Sequence, residues 1–137
     1  MGNCIEKFAV EKEKEVSSLR TELRAIAEDF GFGLVKQTKI ITACVELLRN
    51  ALIFAGGGQI KIKEISARGE EKQGLQFVIS DCGPGIDDPA RAMKDGWSGP
   101  DSNGLGKGLP GSKNLSDEFT LETQQGEGTT VTIVFYR

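Results

Sequence analysis

Residues 46–62, "ELLRNALIFAGGGQIKI", decide how the chain is read, because three kinds of segment follow one another without a gap. The first ten residues are rich in leucine, alanine and isoleucine and continue a helical pattern that begins near Lys36. Gly56, Gly57 and Gly58 stop that helix. "QIKI" then alternates apolar and polar residues, the signature of a strand with one wet face. From Ile40 to Ala55 the only polar residues are Thr42, Glu46, Arg49 and Asn50. At 3.6 residues per turn they share roughly a quarter of the helix circumference. One reading makes this stripe an ordinary solvated face. The other makes it functional. A carboxylate on a mostly buried helix is costly unless something satisfies it, and a water and a metal ion do so. Glu46 can then accept a proton, while Asn50 offers a neutral oxygen to a hard cation such as Mg²⁺.

Working outward, the upstream sequence predicts a strand at "CIEKFAV" (4–10). It also predicts an amphipathic helix from Glu13 to Phe30, with Val16, Leu19, Leu23, Ile26 and Phe30 at helical spacing. Downstream, "QIKIKEISA" and the more apolar "GLQFVIS" read as strands. A short helix is expected near 108–116, and "EFTLETQ" and "TTVTIVFY" form a terminal hairpin around "QGEG". This order suits one domain over residues 1–137, an α+β two-layer sandwich with helices on a single face of one sheet.

Composition bounds the function. The 137 residues carry a net charge of −3, which argues against broad nucleic-acid binding. No apolar run reaches the ~20 residues a membrane helix needs, and the N-terminus lacks a signal-peptide layout. A cytoplasmic protein is expected. Cys4, Cys44 and Cys82 form no C-x-x-C pair, so neither a disulfide framework nor a zinc site is expected. The absence of histidine excludes His-based triads and any phosphorylated histidine within this chain.

Glycine supplies 18 residues, about twice the usual ~7%. Eight of the 18 lie between Gly83 and Gly111. "SDCGPGI" (80–86) places Asp81 at the end of an apolar strand with Gly83 and Gly85 behind it. Asp followed by Gly and Pro, here with Cys82 between, is a common turn. A carboxylate there also matches the exocyclic amine of adenine, whereas guanine presents an acceptor. "NGLGKGLPG" (103–111) satisfies G-x-G-x-x-G at Gly106, Gly108 and Gly111, but no strand precedes it. It is no P-loop either, because Gly108 stands where Ser or Thr is required. What remains is a glycine loop opening a short helix, whose backbone N–H groups suit phosphate. Lys107 adds charge there. "DDPARAMKDGWSGPDSN" (87–103), which includes Trp97, reads as a lid between the clusters.

Taken together, Glu46 with Asn50, D-x-G-x-G, a lid, G-x-G-x-G and the late Gly128-Thr129 resemble the GHKL ATPase superfamily. Within it, "ELLRNALIFAGGGQIKI", "DCGPGI", "GLGKGLPGSKNLSDEFTLET" and "GEGTTV" look like the small serine/threonine kinases of bacterial partner-switching systems, the RsbT-type stressosome switch kinases. The resemblance runs from about Cys4 to the end. It implies the GHKL (Bergerat) fold, a mixed sheet under helices with a flexible ATP lid. It implies Glu46 as general base, Asn50 as the Mg²⁺ ligand, Asp81 as the adenine contact, and Gly83 and Gly85 as the turn beside the base. Gly104, Gly106 and Gly108 border the phosphates, with Leu105 and Lys107 of the same loop among the ATP-binding residues. Thr129 supports the adenine end. ATP and Mg²⁺ are the implied cofactors. STAS-domain scaffold and antagonist proteins are the implied substrates, followed by activation of a PP2C-type phosphatase. Related anti-sigma kinases often carry arginine two residues before the glycine loop, where this chain has Ser102; Lys107, Arg49, Arg91 or Lys94 are the substitutes at hand. Two rivals remain. One is a noncatalytic, nucleotide-gated anti-sigma factor or phosphatase-binding module. The other is a detached histidine-kinase ATPase domain, which lacks an acceptor histidine here.

Overall fold

In the computed structural model, residues 3–66, 72–86 and 108–137 are described. The elements run β1 (Asn3–Val10), α1 (Glu13–Phe30), α2 (Leu34–Ala55), β2 (Gly58–Ser66), β3 (Gln73–Ser80), α3 (Gly108–Leu115), β4 (Glu118–Gln124) and β5 (Gly128–Tyr136). The predicted elements are all present, with boundaries shifted by at most two residues. Their strands form one five-stranded sheet in the order β1-β2-β3-β5-β4.

The expectation of a mixed sheet is corrected: all four ladders between the described strands are antiparallel. Two helices, rather than one, separate β1 from β2. An antiparallel helix pair returns the chain to the end it left, so Val10 pairs with Gly58 and β2 runs back along β1. The other neighbours are a hairpin, β2–β3, a second hairpin, β4–β5, and the β3–β5 pair, which also runs antiparallel.

Side-chain alternation sorts the sheet into two faces. Ile60, Ile62, Leu75, Phe77, Ile79, Val131, Ile133 and Phe135 point inward and are buried. Lys61 and Lys63, at the alternate positions, point away. Phe77 and Phe135 meet edge to face with centroids 6.1 Å apart. From the helical side, Val16, Leu19 and Leu23 of α1 and Ile40, Cys44, Leu47 and Leu48 of α2 complete the core. Each such side chain contributes about 1.5–3 kcal/mol on leaving water. Cys44 is inert packing: burial pushes its thiol pKa up, and the three cysteines are free.

The turn between the helices is fixed by one buried amide. Gln37 Nε2 donates to the Phe32 carbonyl at 2.8 Å, and its Oε1 accepts from Arg24 Nη1 at 3.1 Å. At the other end, the N–H of Gly56 bonds to the Leu52 carbonyl at 2.9 Å and ends α2. These two fixtures set the height and rotation of α2 over the sheet, and with them the polar stripe.

Candidate nucleotide site

Along the open side of α2, Thr42 is exposed and Glu46, Arg49 and Asn50 are half-buried. The stripe does not end there. Ile53 and Phe54 continue it toward the C-terminus of the helix and are 53% and 39% exposed. The sequence singles out neither, since nothing in a helical apolar run distinguishes an uncovered position from a covered one.

Asn50 is the telling residue. Its Oδ1 is buried, and it is the one such side-chain N or O atom among the described residues with no hydrogen-bond partner. An orphaned buried acceptor costs about 1–3 kcal/mol. A neutral, dehydrated carboxamide oxygen is a donor that a hard cation accepts, and Mg²⁺ typically takes only one or two protein ligands beside phosphates and water. Among the described residues no group of three Cys, Asp or Glu forms a dedicated cage. A single orphaned carboxamide oxygen is a donor that fits a Mg²⁺ ion whose other ligands would be phosphates and water. Glu46, one turn earlier, has a side chain 42% exposed, and the Nη1 of Arg49 lies 3.9 Å from its Oε1. The carboxylate is thus accessible from outside.

Asp81 sits where β3 leaves the sheet. Its N–H extends the ladder to the Thr129 carbonyl at 2.9 Å. Its Oδ1 accepts from the N–H of Gly83 at 2.9 Å and of Thr129 at 3.3 Å. These two bonds fix the carboxylate plane and fall on one oxygen, leaving Oδ2 without a bond to the described residues. The turn is built for close approach. A Cβ at Gly83 would lie 2.5 Å from the Ala55 Cβ, so this turn is seated directly on the last turn of α2. At Gly128, φ is +125° and a Cβ would lie 2.1 Å from the Asp81 carbonyl oxygen. Only glycine fits there.

Thr129 was expected at the adenine end, and it meets Asp81 as just described. Its hydroxyl also lies 3.0 Å from that of Thr123. Thr123 is a residue the sequence reading missed. Its Oγ1 accepts from the Ile86 N–H at 2.8 Å, and the Gly126 N–H bonds to the Pro84 carbonyl at 2.8 Å. Together they pin the exit of "DCGPGI" to the β4–β5 turn. The available signal was a polar residue at an inward position of β4, two after Leu121. Gly85, with φ +82°, completes the turn.

Gly104, Leu105, Gly106 and Lys107 lie outside the described residues, as do Ser102, Trp97, Arg91 and Lys94. The exit of that loop is visible: Gly108 opens α3, which docks through buried Leu109 and through Ser112, whose Oγ donates to the Ala43 carbonyl at 3.4 Å. The structure thus brings the Asp81 turn and the start of the short helix to the one helix that carries Glu46 and Asn50.

Comparisons with known proteins agree with this geometry. The sequence model of the histidine kinase-like ATPase domain matches residues 8–135. The serine/threonine-protein kinase RsbT of Bacillus subtilis is 46% identical over 119 residues, covering 87% of this chain and 86% of that protein. The aerobic respiration control sensor protein ArcB of Escherichia coli is 32% identical over 102 residues, covering 66% of this chain but 13% of ArcB. Among solved structures, full-length ShkA in complex with AMPPNP aligns with a TM-score of 0.57 at 17% identity, over 95% of this chain and 31% of ShkA. The mycobacterial sensor histidine kinase MprB aligns with a TM-score of 0.52 at 16% identity, over 96% of both chains. At such identities these two speak for the fold alone. The chain belongs to the histidine kinase-like ATPase family, as a serine/threonine-protein kinase of the RsbT type.

Proposed function

We propose that the chain, as one domain over residues 1–137, transfers the terminal phosphoryl group of Mg²⁺–ATP to serine or threonine on STAS-domain proteins, and then activates a PP2C-type phosphatase. The observation that carries this reading is the orphaned Asn50 oxygen one helical turn from an accessible carboxylate. Similarity to RsbT supplies the partner-switching context. No helix among the described residues is long and apolar enough to cross a membrane, and a cytoplasmic setting is part of the proposal.

Each residue has a separate task. The Asp81 carboxylate, held flat by two backbone N–H groups, accepts a hydrogen bond from the adenine amine through its other oxygen. Gly83 and Gly85 keep side chains out of the way of the ring, while Thr129 and Thr123 hold the turn in place. The glycine loop at Gly104–Gly108 lines the phosphates with N–H groups. Asn50 would hold Mg²⁺, which when bound neutralises charge on the phosphates. Glu46 takes the proton from the acceptor hydroxyl as its oxygen bonds to the γ-phosphorus. The bond from that phosphorus to the bridging oxygen breaks, and ADP leaves. Positioning and charge, rather than covalent chemistry, supply most of such a rate.

The test is incubation with γ-labelled Mg²⁺–ATP and recombinant STAS-domain proteins, followed by phosphosite mapping. Label is expected on a serine or threonine of the STAS protein and at no residue of the kinase itself. Tight partner binding with no label transferred to any of them would leave a nucleotide-gated binding module instead.

A further inference from the structure

Building on Glu46 as the base, we infer that Glu13 and Arg49 are positioning residues that aim its carboxylate, and that Arg49 is not the cation that meets the terminal phosphate. The geometry is a chain of three side chains from two helices. Glu13, in the first turn of α1, accepts a hydrogen bond at Oε1 from the Nε of Arg49 at 2.9 Å. The Nη1 of the same guanidinium lies 3.9 Å from Glu46 Oε1. A guanidinium is planar and its donors sit in a fixed fork. Once Glu13 holds the Nε edge, the direction of Nη1 is set, and from 3.9 Å, beyond hydrogen-bond distance, its charge favours the Glu46 rotamers that turn Oε1 toward it. A glutamate on an open helix face otherwise samples many rotamers, few of which point at an acceptor hydroxyl.

In this structure the Arg49 guanidinium is turned to Glu13 and not toward the glycine loop's exit, so it does not stand in for the arginine that Ser102 replaces. With side chains 59% and 33% exposed, that pair contributes little to stability. A role in fixing direction accounts for its good geometry better than a role in holding the helices together, which the apolar contacts of Val16 and Leu19 already do.

Six variants measured together decide the matter: Glu13→Gln, Glu13→Asp, Arg49→Gln, the double variant Glu13→Gln with Arg49→Gln, Glu46→Gln and, as a control, Glu22→Gln. The reaction is single-turnover transfer from γ-labelled Mg²⁺–ATP to a STAS-domain protein that the wild-type chain phosphorylates. Glu13→Gln is expected to lower the transfer rate about 3- to 10-fold and Arg49→Gln about 10-fold, with Mg²⁺–ATP affinity within twofold of wild type. The double variant should be no slower than Arg49→Gln, because Glu13 acts only through Arg49. Glu13→Asp should recover part of the rate. Glu22→Gln, the same charge loss elsewhere on α1, should leave the rate unchanged. Unaltered melting temperatures separate aiming from folding. If Arg49 served the phosphate instead, freeing it by Glu13→Gln would raise the rate and Arg49→Gln would weaken Mg²⁺–ATP binding; either result overturns the inference. A wild-type rate in Glu13→Gln with Glu46→Gln inactive defeats the aiming role alone. Full activity in Glu46→Gln removes the base assignment and the inference with it.

Discussion

Glu46→Gln is expected to slow phosphoryl transfer by roughly 10²- to 10⁴-fold, the usual contribution of a positioned general base. The substitution keeps the volume and the Oε1 acceptor beside Arg49, so α2 and its partners have no reason to move. It removes only the ability to take a proton. Because Glu46 lies on the half-open face and the core beneath is apolar, stability should change by less than about 0.5 kcal/mol, as for ordinary surface sites. In the proposed site, Asn50, the Asp81 turn and the glycine loop bind the nucleotide, so the dissociation constant for Mg²⁺–ATP should stay within a few-fold. Single-turnover kinetics with labelled ATP, paired with calorimetric titration, reads both quantities. A variant that transfers at the wild-type rate would place the base elsewhere; one that neither binds nor transfers would make Glu46 a structural residue.

The second large effect is expected at Asp81→Asn, in affinity rather than rate. Asparagine is isosteric, and its oxygen can keep the bonds from Gly83 and Thr129 that fix the turn. That orientation puts the amide nitrogen where Oδ2 was. An acceptor facing the adenine amine becomes a donor facing a donor. Losing a hydrogen bond to a charged group costs about 1.5–3 kcal/mol, and stranding the amine adds to it. ATP affinity should therefore fall about 10²-fold, with the fold intact by circular dichroism. Base preference offers a sharper check. Inosine triphosphate presents an oxygen in place of the amine, so its binding should improve relative to ATP in the variant. Loss of ATP and inosine triphosphate affinity in equal measure would mean that Asp81 shapes the turn and does not read the base.

The sequence disclosed elements and motifs better than the spaces between them. Helical and alternating periodicities located every described element within two residues, because burial on one face imposes those periods directly. The polar stripe on α2 was legible for the same reason: Glu46 and Asn50 interrupt an apolar run at helical spacing. Strand direction was not legible from pattern, and the family expectation of a mixed sheet failed against two helices in the first crossover. Thr123 and Glu13 escaped notice because their importance is tertiary. Glu13 looks like any acid in the first turn of a helix and meets Arg49 across a sequence separation of 36. The exposed pair Ile53 and Phe54 shows the opposite limit, since an apolar residue on a helix does not announce whether the protein or a ligand covers it.

A crystal structure of the complex with Mg²⁺ and a non-hydrolysable ATP analogue decides whether the Asn50 oxygen meets the cation. The Asn50 Oδ1 is expected to ligate the cation at about 2.0–2.1 Å, the ordinary distance for this ion, with Glu46 facing the γ-phosphate from the same side of α2. An ion held wholly by other groups, with the Asn50 oxygen still unpartnered and the triphosphate away from that helix face, would contradict that role for Asn50.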